Sequence, residues 1–370
     1  MRRLSPEQVD DTLVGATILG CGGGGWLADG REQMKQVYEA GRAVTLAAPD
    51  DLSDTDLVAC PYAVGAMTAA DAGFYGDLPF TGEHPTVLAL RALEDYLGRR
   101  VAGVFPGEIG GGSVGDAFYA AAMMDVPAID ADPAGRAVPE IDHSVLSLAG
   151  VPSAPLAVVN EIGDTAILTR VADDARAEAL IRALAVASRN AVWVADHGQP
   201  WGELSDLLVP GSVSLALAVG RARREAAAAD GDVPAAVATA AGGRVAFRGE
   251  VEAMTWDDAD GFSVGETVLA GAGESASSRY RVWFKNENLM AWRDGEPDIT
   301  CPDLICLVDA GTGMGLTNPD VAPGTRVAVL GVPCDRRWRS VAGVALLGPA
   351  HFGFDAGYMP LEERAAGWQS

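Results

Sequence analysis

Ser5-Pro6-Glu7-Gln8, then Val9, Leu13, Ala16 and Thr17 at helical spacing, then Gly20-Cys21-Gly22-Gly23-Gly24-Gly25: the reading of this stretch decides the fold. The glycine run satisfies G-x-G-x-x-G, a pattern that binds a dinucleotide where a strand enters the turn and a helix leaves it. The entering segment here predicts a helix instead. Ser5 is a capping residue, Pro6 suits the first helical position, and Gln8 completes a capping box. The run is therefore read as a ligand loop fed by a helix, and no nucleotide cofactor is expected. Consecutive glycines allow positive φ and a close approach to main-chain N–H groups, with the Cys21 thiol in the same loop.

Working outward, Trp26 to Ala40 reads as a second helix ended by Gly41. Apolar runs at 44–47 and 57–64 predict strands, and 84–97 predicts a helix. A strand at 101–105 opens into Gly107-Glu108-Ile109-Gly110-Gly111-Gly112-Ser113, a second glycine loop, followed by a helix at 114–124 and a strand at 126–130. Pro152 and Pro155 suggest a boundary. Beyond it, strands are expected at 157–170 and 191–196, and helices at 173–188 and 211–229. From Arg244 onward β-type runs alternate with turns such as Ala259-Asp260-Gly261 and Asp294-Gly295. The expected architecture is an α/β N-terminal domain with glycine-rich strand-end loops (1–155) and a β-rich α+β C-terminal domain (156–370) with a helical part near its start.

The chain has 370 residues, 49% hydrophobic and 21% charged, which suits folded domains. A formal charge of −24 argues against a nucleic-acid partner. Lysine occurs only at Lys35 and Lys285, so neither a P-loop lysine nor a polybasic membrane patch is present. Met1-Arg2-Arg3 leads into polar residues, and no apolar run approaches the about 20 residues of a membrane span, so a cytoplasmic protein is expected. Cys21, Cys60, Cys301, Cys306 and Cys334 are scattered and odd in number, as reduced thiols are. A small-molecule partner and symmetric self-association are expected.

Chemistry is suggested where carboxylates meet the second loop. Glu108 lies in it, and Asp130 and Asp132 follow at a strand end, an arrangement suited to proton transfer or metal binding. Arg136 offers a planar fork for a substrate carboxylate. The same aspartates equally suit loop caps, with Arg136 pairing one of them. Histidine is confined to His84, His143, His197 and His351, without H-x-H or H-E-x-x-H spacing, which argues against a His-rich dinuclear site. His351 lies among glycines and aromatics that would wall a flat ligand. Cys21 has the best context for a thiolate, because loop N–H groups lower a thiol pKa; packed as a small buried residue it would be inert. Lys285-Asn286-Glu287-Asn288 puts polar groups between apolar stretches, where they either staple the two halves or face the site.

Together these segments resemble the S-methyl thiohydantoin desulfurase family. The carrying residues are 18–25, Glu108-Ile109-Gly110-Gly111, Asp130-Ala131-Asp132, Gly135-Arg136-Ala137, Pro139-Glu140, Asn286-Glu287-Asn288-Leu289, Pro302-Asp303-Leu304-Ile305, Gly348-Pro349 and Phe352-Gly353, in order along nearly the whole chain. The family more often has threonine at the position of Cys21, an acidic residue at Trp26 and methionine near His143. The resemblance implies hydrolysis of an S-methylated thiohydantoin to a hydantoin and methanethiol, with Arg136 receiving a propionate arm. On this reading Glu108 or Asp132 handles protons, and Cys21 or His351 activates the attack. Gly22, Gly23, Gly24, Gly25, Gly110 and Gly111 bind substrate, and zinc, if present, sits on His351 and Cys334. Ring-opening hydrolysis of a hydantoin, and a non-catalytic subunit of a hydantoinase-type assembly, are the competing readings.

Overall fold

The computed structural model describes residues 1–65, 74–259 and 262–367. The capping box forms as expected. Ser5 accepts from Gln8 N–H, Gln8 reaches back to Ser5 N–H, and the helix Pro6–Leu19 runs to Gly20. A helix enters the first glycine loop and another, Leu27–Glu39, leaves it, so this loop is not at a strand end. The second loop is, since it follows the strand Gly103–Val104 and opens the helix Gly111–Met124.

The N-terminal part is built on an eight-stranded mixed sheet. Thr45–Ala47, Ala128–Ile129, Gly103–Val104 and Leu57–Gly65 run parallel at its centre. Ala191–Pro200 then pairs antiparallel with Leu57–Gly65, and Leu156–Val159 and Thr165–Leu168 complete that edge. Residue 155 thus precedes strands of the same sheet, which continue to Pro200; Pro152 and Pro155 lie between the short helix Val145–Leu148 and the strand Leu156–Val159. The second part is a seven-stranded antiparallel sheet between Arg244 and Val332. Asp294 and Gly295 have φ of 52° and 92° and join two of its strands as a type I′ turn. The turn expected at Asp260-Gly261 lies outside the described residues. Among the described residues, no helix is long and apolar enough to cross a membrane.

The two glycine loops lie against each other, backbone on backbone. A Cβ on Gly24 would fall 2.5 Å from the Gly110 Cα, and one on Gly110 would fall 2.3 Å from the Gly24 Cα. This approach lets the Gly24 carbonyl accept from Gly112 N–H at 3.0 Å and Ser113 N–H at 3.1 Å, capping a helix that has no side-chain cap. The second part grips the same loop from the other side: Asn288 N–H, on a strand, donates to the Cys21 carbonyl at 2.7 Å, and Asn318 N–H, on the turn Asn318–Asp320, donates to the Gly22 carbonyl at 2.8 Å.

Gly24→Ala is expected to cost about 2 kcal/mol more than Gly150→Ala, as overpacking does. Both positions have positive φ (77° and 74°), but a Cβ on Gly150 meets nothing within 4 Å. Denaturant unfolding of the two variants checks the difference, and equal losses would show that only φ matters.

Candidate functional site

A cavity of about 740 Å³ lies where the loops, the sheet edge and the second domain converge. Its wall takes Gly24, Gly25 and Trp26 from the first loop, Glu108 and Ser113 from the second, Cys60 and Tyr62 from one central strand, and Glu287 from the second sheet. Trp193, Asp196 and His197 come from the adjoining strand, and Glu140 and His143 from the segment after Asp132.

Glu108 is held by two donors, Ser113 Oγ at 2.7 Å and Val138 N–H at 2.8 Å. Burial raises its pKa, and those hydrogen bonds and Arg136 oppose the rise. Glu287 is more deeply buried, and its Oε2 has no hydrogen-bond partner. Burial, and then the charge of Glu108, push it well above the ordinary 4.5, with Arg136 opposing. Two carboxyls in one cavity are thus both raised but unequally: Glu108 has donors that favour its ionised form and limit the rise, and Glu287, with an unpartnered oxygen, is raised further. The sequence left Glu287 between staple and site. In the fold Glu287 faces the cavity, whereas Asn288 is the staple, its Nδ2 donating to the Ile305 carbonyl at 3.0 Å.

Other expected site residues have structural posts. Arg136 is fully buried and donates to the carbonyls of Ala137, Asn288, Pro302 and Asp303. It ties the first domain to the second, and its fork is taken up by main-chain oxygens, not a substrate carboxylate. Asp132 is also fully buried; its Oδ2 accepts from Ala134 and Gly135 N–H groups at 2.8 and 2.7 Å, and burial raises it to about 7. Asp130 caps the helix Ser212–Ala228 through Ser214 N–H. Cys21 is absent from the cavity wall. Its thiol donates to the Leu19 carbonyl and lies 3.9 Å from Cys306 Sγ. Burial works against ionisation there, but the Cys306 thiol and the Arg136 guanidinium bring it down to about 7. Gly24 and Gly25 line the cavity, while a Cβ on Gly23 would lie 1.9 Å from Glu287 Oε1 and one on Gly22 would meet Asn318. Gly110 and Gly111 serve close packing: a Cβ on Gly111 would meet Thr17 Oγ1 at 2.3 Å.

His351 and Cys334 do not form the expected metal pair. Cys334 lies 3.7 Å from the Tyr358 hydroxyl, and burial raises it to about 12. His351 meets His143 instead, Nε2 to Nε2 at 3.1 Å, and Glu140 completes a candidate metal-binding triad whose ligand atoms all lie within 4.8 Å of one another.

Two further groups on the wall were not assigned from sequence. Asp196 accepts from the Tyr62 hydroxyl at 2.9 Å and holds His197 Nδ1 at 2.7 Å. Burial pulls His197 down, and Asp196 more than reverses this. Gln33 Nε2 donates to Asp116 at 2.5 Å, and burial brings Asp116 up to about 7 and His84 down to about 4. An Asp-His pair ending an apolar run was the available signal for the first; nothing local links Gln33, His84 and Asp116.

A family model described as the S-Me-THD-like N-terminal domain matches residues 7–170, and one described as the S-Me-THD-like C-terminal domain matches 172–361. An X-ray crystal structure of a protein from Chromobacterium violaceum is similar in fold, with a TM-score of 0.79 and 24% identity over 98% of this chain and 100% of that one. No curated protein matches the chain.

Because Glu287 binds its proton more tightly folded than unfolded, the stability this contributes is present below the ordinary 4.5 and is lost as pH rises through the folded value. Glu287→Gln is therefore expected to gain stability over wild type between about pH 5 and about pH 8. Denaturation at both pH values tests this; a wild type that gains on the variant with pH would mean an ionised, paired Glu287.

Proposed function

Since this chain belongs to the S-Me-THD-like family, we propose that it is a hydrolase that converts an S-methylated thiohydantoin to a hydantoin and methanethiol, with Glu108 and Glu287 as its proton-transfer pair. The observation that carries this reading is two carboxyls on one cavity wall in unlike settings: burial raises both, but Glu108 is held by two donors, whereas Glu287 is raised further and its Oε2 has no hydrogen-bond partner.

In the proposed reaction, Glu108 takes a proton from water as the water oxygen bonds to the ring carbon bearing sulfur. Glu287 gives its proton to the adjacent ring nitrogen, leaving a tetrahedral carbon with hydroxyl and methylthio groups. Collapse forms the carbonyl and breaks the C–S bond. The thiolate leaves with the proton held on Glu108, and the hydroxyl proton returns to Glu287. Water and substrate have then become hydantoin and methanethiol, with both carboxyls restored. The proposed partners are this small molecule and, by symmetric self-association, further copies of the chain.

The test is thiol release from an S-methyl thiohydantoin propionate, with product analysis, by protein with and without added zinc, the cofactor that the resemblance admits. Methanethiol and hydantoin are expected in equal amounts. Glu108→Gln and Glu287→Gln should each lower kcat by about 100-fold or more. Cys21→Ala should stay within about threefold of wild type, because the thiol is packed below the loop. A new carboxylate without thiol would replace desulfuration by ring opening, and tight binding without turnover would favour a non-catalytic subunit.

A further inference from the structure

We infer that Glu140, His143 and His351 form a binding site for one divalent transition-metal ion, zinc or its tetrahedral substitutes, at the wall of the cavity. The donor set is two imidazole nitrogens and one carboxylate, which suits zinc and leaves one position of a tetrahedron open. Zinc–nitrogen bonds of about 2.0 Å at tetrahedral angles put ligand atoms about 3.3 Å apart. The two Nε2 atoms are 3.1 Å apart, and one ligand atom from each of the three residues lies within 4.8 Å of the others.

The three ligands come from separate parts of the chain. Glu140 and His143 belong to the segment that follows Asp132 and line the cavity, His143 fully buried and Glu140 partly so. His351 is carried on the exposed turn Pro349–Phe352 at the other end of the sequence. Phe352 packs edge-on against both imidazoles, with ring centroids 5.7 Å from His143 and 4.9 Å from His351. His143 Nδ1 has no hydrogen-bond partner in this apolar setting. A single hydrogen bond between two rings leaves the nearby Glu140 without a role toward them; a metal ion uses all three groups.

Lys285 is the competitor. Its ammonium pairs with Glu140 and stacks over the Phe262 ring at 4.0 Å. Metal binding therefore has to share or displace that ion pair. Removing the lysine charge should tighten binding, which a purely structural cluster would not show.

The experiment uses full-length untagged protein stripped with chelator, then titrated with zinc by equilibrium dialysis and with cobalt(II) by visible absorption. One ion per chain and an intense tetrahedral cobalt spectrum are expected. His351→Ala, on an exposed turn, and Glu140→Gln should weaken binding by about 100-fold or more, in the range lost when metal sites are disturbed. Cys334→Ala should leave it unchanged, and Lys285→Met should tighten it about tenfold, a gain that misfolding cannot produce. Zinc held equally by wild type and His351→Ala, or no stoichiometric ion in wild type, would overturn the site. Occupancy is read without substrate, so this outcome is independent of desulfuration.

Discussion

The contact on which the rest depends is the close approach of Gly24 to Gly110. A glycine on each side lets two main chains meet at a distance that any Cβ would block. The Gly24 carbonyl then serves two N–H groups of the helix that begins at Gly111, so the helix terminus is capped by another loop instead of a side chain. The loop therefore works as an acceptor. Its carbonyls at 21, 22 and 24 are bonded to three different elements, and this fixes the cavity wall that Gly24, Gly25 and Trp26 provide.

Burial sets the electrostatics around this hub. Arg136 carries a fully buried charge, and four backbone carbonyls accept from its guanidinium. Removing such a group leaves acceptors stranded at the joint of two domains, so its role is cohesion. The same field reaches the cavity: Arg136 opposes the upward shift of both Glu108 and Glu287 without touching either in a hydrogen bond among those described. Structural and chemical groups are thus coupled through charge, while their direct contacts are separate.

Local signals were read correctly where one segment contained the whole motif. Ser5 to Gln8 holds both halves of a capping box, and Asp294-Gly295 holds both residues of its turn, so neighbours in sequence decide the outcome. Glu108 was legible as a cavity residue because a charged side chain in a glycine loop after a strand has few other uses. Arg136 and Cys21 are of types that suit chemistry as well as cohesion, and most of the partners the fold gives them lie more than a hundred residues away. The boundary expected at 155 rested on punctuation alone. Pro152 and Pro155 break local structure, but sheet membership is a matter of pairing, and Leu156–Val159 finds its partner at residues 193–195.

The sequence alone determined the helix that feeds the glycine run, the exclusion of a dinucleotide turn, the strand-rich second half and the family, since each rests on local periodicity or on motifs in order. Tertiary structure decided which polar groups face the cavity and which are sealed into the joint. Glu287 and Asn288 are adjacent residues with opposite fates, one at the cavity wall and one bonded into the core, because consecutive strand residues point to opposite faces. Likewise His143 and His351, 208 residues apart, meet only because the chain's last turns fold back onto the loop after Asp132. Spacing in sequence carries no information about such a meeting; packing does.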